Sequence, residues 1–259
     1  MNLRRVYYYL REYLFPFGCG GCGEALISDE EAFYGLCADC RNLLADILQN
    51  ERKCGICGKS LITEKDTCLA CRNTEGQAKE KYCDYFEKLS IFFPYTGKFK
   101  RILGAYKFRE FVNLANYFSL CLNSGLKSLK INCDDAAWIP VPPRPGKIKK
   151  QGWDQMEFLA GLLESDYKNS LNSKYSNKES FFLPVKRCLK RLPSRSQKEL
   201  NREERSKNLK GRIICCKKPP KTAILFDDVI TTGATLDVCA SALLESGTEK
   251  VYGLCLFFD

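Results

Sequence analysis

The stretch that most constrains the fold of this chain is Thr222 to Leu236, which reads TAILFDDVITTGATL. Ala223 to Phe226 is apolar without alternation, the pattern of a strand buried on both faces. Two adjacent carboxylates, Asp227 and Asp228, stand where that strand is expected to end. A short turn then offers Thr231, Thr232, Gly233, Ala234 and Thr235. Beyond it Leu236, Ala240, Leu243 and Leu244 recur at helical spacing, and Gly247 is placed to stop the helix. The succession is strand, acidic pair, hydroxyl-rich loop, helix.

Such a unit suits a phosphorylated ligand. Backbone N–H groups at a helix start lack helical partners and carry partial positive charge, so a phosphate can settle on them. Gly233 permits close backbone approach, and the threonines add hydroxyl donors without bulk. The two carboxylates suit acceptor roles toward sugar hydroxyls or the hydration shell of Mg²⁺. A plainer reading, a Thr helix cap beside two solvated acids, explains one threonine but not the whole order of residue types.

This stretch closely resembles the phosphoribosyl pyrophosphate (PRPP) signature of type I phosphoribosyltransferases. The resemblance implies that Asp227 and Asp228 meet the ribose 2′ and 3′ hydroxyls. It also implies that Thr231, Thr232, Gly233, Ala234 and Thr235 wrap the 5′-phosphate, with Mg²⁺ accompanying the ligand. It does not name the acceptor.

Four C-x-x-C pairs crowd the first third of the chain: Cys19/Cys22, Cys37/Cys40, Cys54/Cys57 and Cys68/Cys71. Each pair can grip one metal with two thiolates, and a second pair completes a tetrahedral S₄ site. Glycines at 20, 21, 23, 55 and 58 permit tight knuckles with N–H groups aimed at sulfur. Two closed, structural zinc sites are expected. Sequential pairing puts Cys19, Cys22, Cys37 and Cys40 on one ion and Cys54, Cys57, Cys68 and Cys71 on the other, although the spacing also admits interleaved ligation. Redox use of four such pairs would want a thioredoxin-like setting, which the chain does not show. Eight cysteines remain of the sixteen. Several, such as Cys121, Cys215, Cys216 and Cys239, read as small core residues.

The 259 residues allow one ordinary domain and a small one. The polar run from Arg72 to Lys81 reads as their boundary. This gives an N-terminal helix and double zinc ribbon over 1–75, then a second domain over 85–259. Within Met1 to Phe17, Arg4, Arg5, Arg11 and Glu12 interrupt any signal-peptide core. No later run approaches membrane-span length. The chain is expected to be cytoplasmic, without membrane insertion.

In the second domain, strands are expected at Ser90–Tyr95, Ala136–Pro142 and Lys250–Phe258, with a strand or an extended segment at Phe181–Val185. Helices are expected within Gly97–Tyr117 and at Met156–Leu163. Lys168–Ser180 reads as loop, and Lys190–Leu209 as charged, exposed and helix-compatible in its second half. Alternating strands and helices imply an α/β fold with a mostly parallel sheet, whose ligands bind at the carboxyl ends of strands. The basic, aromatic blocks at Tyr95–Lys98 and Ala105–Phe108 read as surface lysines beside packed aromatics.

The net charge of +10 is unevenly spread. Between Lys186 and Arg212 eleven Lys or Arg stand against three Glu, and Arg144, Lys147, Lys149 and Lys150 form a second knot. Such clusters attract phosphates, of a small molecule or a nucleic acid, or serve as solvated faces.

The order of these pieces resembles the ComF family across nearly the whole chain: a cysteine-rich zinc ribbon, then a phosphoribosyltransferase-like domain. Five features carry it. They are the C-x-x-C array, the Tyr95-Thr96-Gly97 and Tyr106-Lys107-Phe108 block, Ile139-Pro140-Val141-Pro142, Gly152-Trp153-Asp154-Gln155, and RLPSRSQ from Arg191 leading to the acidic pair. The family is associated with DNA uptake in natural competence and with use of DNA-derived material. Where it usually shows R-G-F-N-Q, this chain has Gln151-Gly152-Trp153-Asp154-Gln155, which weakens any grip of that loop on pyrophosphate. Arg144, Lys147, Lys149 and Lys150 could substitute.

Two functions follow. In the first, the chain is a phosphoribosyltransferase working by positioning and electrostatics, which needs no histidine. Arg195, Gln197, Arg202 and Arg205 would then close over pyrophosphate on a mobile loop, in competence or nucleotide salvage. In the second, the PRPP fold is scaffold or regulator in a protein that binds single-stranded DNA or a helicase-like partner through its ribbons and basic face.

Overall fold

The structure, a computed structural model, describes residues 18–49, 52, 54, 61, 65, 85–108, 111–131, 134–172, 182–193 and 211–258. Helices α1 (Asp29–Tyr34) and α2 (Ala38–Gln49) come first. Then follow β1 (Lys88–Pro94), α3 (Gly97–Phe108), α4 (Leu114–Leu129), β2 (Ala136–Pro140), α5 (Lys147–Gln151) and α6 (Gln155–Asn172). The chain closes with β3 (Leu189–Arg191), β4 (Ile213–Cys215), β5 (Thr222–Ile230), α7 (Ala234–Glu245) and β6 (Lys250–Phe258).

Four strands form a parallel sheet in the order β1-β6-β5-β2. Its centre is the apolar run Ala223–Phe226, every residue of which is fully buried. Side chains alternate across a strand, so the run feeds both faces. Ile224 and Phe226 join Trp138, Phe118, Leu254 and Phe257 on the side of α4 and α6. Ala223 and Leu225 join Ile91, Ile139, Val251 and Leu243 on the side of α7. A sheet covered on both faces explains the missing alternation, and the α/β, mostly parallel expectation holds. On the first face α4 presses so close that a Cβ on Gly125 would lie 2.5 Å from Phe92 Cζ.

Several boundaries differ from the sequence reading. Strand β5 does not stop before the acidic pair but runs through it to Ile230, because β6 keeps pairing alongside as far as Ile230↔Phe258. Strand β2 ends at Pro140 rather than Pro142. Helix α6 continues to Asn172, through residues read as loop; its outer end is so exposed (Leu171, 67%) that no apolar stripe marks it. Within the run read as exposed and helix-compatible, Leu189–Arg191 is instead a strand paired antiparallel with β4, and Arg191 is buried. The extended segment near Val185 lies beside β2, with Trp138 N–H donating to Pro184 O and Lys186 N–H to Trp138 O.

Cys121, Cys188, Cys239 and Cys255 are core residues, but Cys215 is only half-buried and Cys216 is exposed, so those two depart from the core expectation. They sit at the end of β4, a two-stranded ribbon too narrow to enclose them. Among the described residues, no helix is long and apolar enough to cross a membrane. The expected N-terminal helix over 1–17 and the boundary at 72–81 lie outside the described residues.

Candidate functional site

At the amino-terminal end, Ser28 caps α1, its Oγ accepting from Glu31 N–H at 3.2 Å. Glu31 turns its buried carboxylate back to accept from Ile27 N–H and Ala38 N–H, each at 2.8 Å. Those bonds hold its pKa below the usual carboxylate range despite burial. They also bind the first knuckle's exit to the second knuckle, and Gly35 in the left-handed region makes the turn between (φ +66°).

The result is that the sulfurs of Cys19, Cys22, Cys37 and Cys40 all lie within 4.8 Å of one another. Cys22 and Cys37 Sγ are 3.6 Å apart. A tetrahedral S₄ zinc site with bonds of about 2.3 Å has edges of about 3.8 Å, so the donor set and spacing fit that ion. Gly21 N–H and Cys37 N–H both donate to Cys19 Sγ at 3.3 Å. Burial alone would push the Cys19 thiol up, but these amide donors and the one at Cys22 prevail and bring it down to about 7. A Cβ on Gly21 would lie 2.8 Å from Cys40 Sγ, which is the requirement behind that glycine. Of the second expected set, Cys54 is buried, whereas Cys57, Cys68 and Cys71 lie outside the described residues.

The cysteine cluster is not a separate bead. Cys19, Leu36, Cys37, Cys40 and Leu44 belong to the same apolar cluster as Tyr106, Phe118 and Trp138. Asn113 Nδ2–H donates to Ala32 O at 2.8 Å and Asn116 Nδ2–H to Phe33 O at 2.7 Å, stitching α1 to α4.

A second site lies at the carboxyl ends of β5 and β2, a cleft of about 1000 Å³. Into it open Asp227, Asp228, Thr231 and Thr235, the loop from Val141 to Lys147, Asp154, Gln155, Lys107 and Arg191. Beside it, a concavity of about 40 Å³ is lined by Asp227 and by residues from Val229 to Leu236, including Thr231, Thr232, Gly233, Ala234 and Thr235. Gly233 precedes α7 with φ +80°, a backbone region that suits glycine, and so turns the loop onto the helix start. Asp237 N–H donates to Gly233 O, beginning the helix beside the concavity, and Ala234 N–H faces Thr232 Oγ1 at 3.5 Å.

The loop at 152–155 is assembled residue by residue. Gly152 closes α5 in the left-handed region (φ +80°). Trp153 packs edge-on against Tyr106, ring centroids 5.7 Å apart. Asp154 caps α6, accepting from Met156 N–H at 2.9 Å and Glu157 N–H at 3.1 Å, and holds Lys147 Nζ at 2.6 Å. Gln155 accepts from Lys147 Nζ and donates from Nε2 to Asp228 Oδ2 at 2.6 Å. With Asp154 where R-G-F-N-Q has asparagine, the loop has a helix cap and an anchor for Lys147.

Lys107 is the residue that sequence reading missed. It is not a surface lysine. From the last turn of α3 its Nζ reaches Asp228 Oδ2 at 3.0 Å, with 21% of the side chain exposed. Burial lowers its pKa, but Asp228 and then Asp227 outweigh this, and the net shift is upward. The clue was position: Tyr106, one residue earlier, is buried and donates from its OH to Gln155 O at 2.6 Å. That bond aims the end of α3 at the cleft.

The acidic pair is electrostatically unequal. Asp228 holds Lys107 and Gln155, whereas Asp227 accepts from Asp228 N–H at 2.8 Å. Burial, then the neighbouring Asp228 charge, push the Asp227 carboxyl up to about 8, against the pull of that N–H and of Lys107. Arg195, Gln197, Arg202 and Arg205 lie outside the described residues.

No protein-family model matches the chain. It is similar to the Competence protein ComFC of Streptococcus pneumoniae, with 25% identity over 83% of this chain and 84% of that protein. Competence protein F of Haemophilus influenzae is 24% identical over 84% of this chain and 87% of that protein. A 35-residue stretch, 14% of this chain, is 54% identical to part of the ribose-phosphate pyrophosphokinase of Bacillus caldolyticus, covering 11% of that protein.

Proposed function

We propose that this chain, similar to ComF-type competence proteins over most of its length, binds a Mg²⁺–phosphoribosyl ligand of the PRPP kind and acts in competence-linked DNA uptake or nucleotide salvage. One observation carries the reading. An acidic pair and half-buried basic and amide partners line one cleft, and a glycine-turned threonine loop at a helix start lines the concavity beside it. The loop at 231–235 would take the 5′-phosphate, and Asp227 and Asp228 the ribose hydroxyls. Lys107 and Gln155 would hold Asp228 in place. The carboxylate pair suits a hydrated Mg²⁺, which when bound neutralises phosphate charge and steadies the leaving pyrophosphate. The residues expected over that leaving group are Arg195, Gln197, Arg202 and Arg205. The cysteine cluster is read as structural zinc, with a second zinc on Cys54, Cys57, Cys68 and Cys71. The domain division stays at 1–75 and 85–259, in a cytoplasmic protein.

Calorimetric titration with PRPP, with and without Mg²⁺, tests this. Micromolar, Mg²⁺-dependent binding, about −8 kcal/mol, is expected. The double variant Asp227→Asn/Asp228→Asn should weaken it at least ~100-fold, or about 2.7 kcal/mol. No binding by the folded, metal-loaded protein sinks the reading.

A second reading is favoured by Phe108, 78% exposed at the cleft mouth, beside the basic loop at 144–150. Aromatic platforms among cations suit single-stranded DNA, with a helicase-like partner on the ribbons. Its mark is affinity that falls steeply with salt.

A further inference from the structure

The β3–β4 ribbon gathers three thiols outside the four-cysteine cluster: Cys188, Cys215 and Cys216. Leu189 stands opposite Cys215, so Cys188 is the diagonal neighbour of Cys215 and faces Cys216 across the ribbon. Cys188 is buried among Leu189, Ile213 and Cys239, and Cys215 packs half-buried against the same cluster. Cys216 is exposed; its N–H donates to Cys188 O at 2.8 Å and its Sγ to the same oxygen at 3.2 Å.

The three are not equivalent. The Cys188 and Cys215 thiols share a hydrogen bond. A disulfide spans Cα atoms roughly 4.4–6.8 Å apart, a range that neighbours across an antiparallel ribbon meet. Cys215 and Cys216, joined by a trans peptide with Cα atoms about 3.8 Å apart, fall short of it. Cys216 keeps its sulfur on a backbone carbonyl. Access differs as well. Cys215 opens into a cleft of about 590 Å³ between β4 and α7, beside Tyr85, Val238 and Glu245. Cys188 is only 1% exposed. Burial, then the charge and hydrogen bond of Cys215, push the Cys188 thiol up to about 12. The last two causes vanish once Cys215 is capped, so Cys215 reacts first and Cys188 second.

We propose that Cys215 and Cys188 form a thiol–disulfide exchange pair: Cys215 takes up a low-molecular-weight disulfide, and Cys188 displaces it to give a cross-strand disulfide at the foot of the ribbon. In the first step the Cys215 thiolate attacks RSSR, forming a mixed disulfide and releasing RS⁻. In the second the Cys188 thiolate attacks the Cys215 sulfur and releases the other RS⁻. The two thiol protons end on the released groups, so two protein thiols are oxidised and one RSSR is reduced to two RSH. The far end of the ribbon is held by Leu192 N–H donating to Arg212 O, and between the two ends Arg191 opens into the cleft beside Asp227. The thiol state therefore sets how firmly that wall of the cleft is held. In a reducing compartment such a bond is transient and reports oxidation. The pair stands independently of the phosphoribosyl reading.

The test treats the full, metal-loaded chain with glutathione disulfide, alkylates the remaining thiols and maps tryptic peptides by mass spectrometry. Residues 188–190 joined to residues 213–217 are expected, and dithiothreitol should release them. Cys216→Ser, at an exposed position, should link as fully as the original chain, and Cys215→Ser should not link. Cys188→Ser should hold glutathione on Cys215, which traps the first step. Should that buried variant fail to fold, the other two decide. Linkage that needs Cys216, or a ribbon that takes up no glutathione and forms no link, overturns the proposal. In the linked protein, amide exchange at Leu192 should slow at least about tenfold. Unchanged exchange would overturn the hold on the cleft wall.

Discussion

At the cysteine cluster four like ligands come from two short knuckles within 22 residues, Cys19 to Cys40. At the cleft, unlike charges come from α3, the β2–α5 loop, the start of α6, β3 and β5, spread from Lys107 to Asp228. The knuckle needs only local turns, and its amides already point at sulfur. The cleft exists only when the sheet and its helices have assembled, and it is left with unequal partners. Asp228 is held on two sides, Asp227 carries a strongly raised pKa, and among the described residues the Arg191 Nε has no hydrogen-bond partner. A site that completes itself reads as structural. One that the fold leaves electrically unfinished reads as waiting for a ligand.

The largest effect should come from the finished site. Structural zinc contributes about 10–16 kcal/mol of binding energy in small peptides. Here the cysteines share a cluster with Phe118 and Trp138. Chelation, or Cys40→Ser, should therefore lower the melting temperature by roughly 10 °C or more and erase near-UV aromatic signal. A ribbon that melts alone, leaving the tryptophan signal intact, would break the claim that the two regions share a core.

Next comes Lys107→Gln. Losing a charge-assisted bond to buried Asp228 should cost about 2 kcal/mol of stability, read by denaturant titration. It also removes a group that lowers the Asp227 pKa, so the pH dependence of ligand binding should move upward. An unmoved profile would mean that Lys107 only packs.

That profile is itself the third prediction. With a raised folded pKa of about 8, Asp227 is mostly protonated at pH 7 and ionises as pH climbs. Mg²⁺ favours the ionised form, so Mg²⁺-dependent PRPP affinity should rise roughly tenfold from pH 7 to 9 and flatten above. For the ligand-free fold the sign is opposite. The unfolded carboxyl ionises near 4, so the contribution of Asp227 to stability is full below that and is lost as pH rises toward 8. Asp227→Asn should remove both trends.

The smallest effect is expected from Asp154→Asn. Asn and Asp cap helices about equally well, so stability should change by less than about 1 kcal/mol by thermal melting. A large loss would show that the Lys147 contact, rather than the cap, matters at this position.

The two regions also differed in how far the sequence disclosed them. Cysteine spacing named one metal cluster outright, since C-x-x-C geometry is local. The apolar run at 223–226 and the threonine loop were equally plain, because burial on both faces and a helix start leave direct marks in residue order. Lys107 was not plain. A lysine between Tyr106 and Phe108 is common on surfaces, and only the tertiary placement of α3 turns it onto Asp228. Arg191 was hidden in a basic run for the same reason, since one charge among eleven shows no sign of being buried. The outer half of α6 escaped because it packs little, and Cys215 and Cys216 because apolar neighbours in sequence are not neighbours in space.

The segment beside β2 has a consequence for self-association. Among the described residues it exchanges backbone hydrogen bonds with β2 at Trp138, while Pro140 and Pro184 have no N–H to offer. A free, regular strand edge is a template on which a second chain can add itself. This border offers an interrupted donor row already partly occupied, a poor template for edge-to-edge addition of a second sheet.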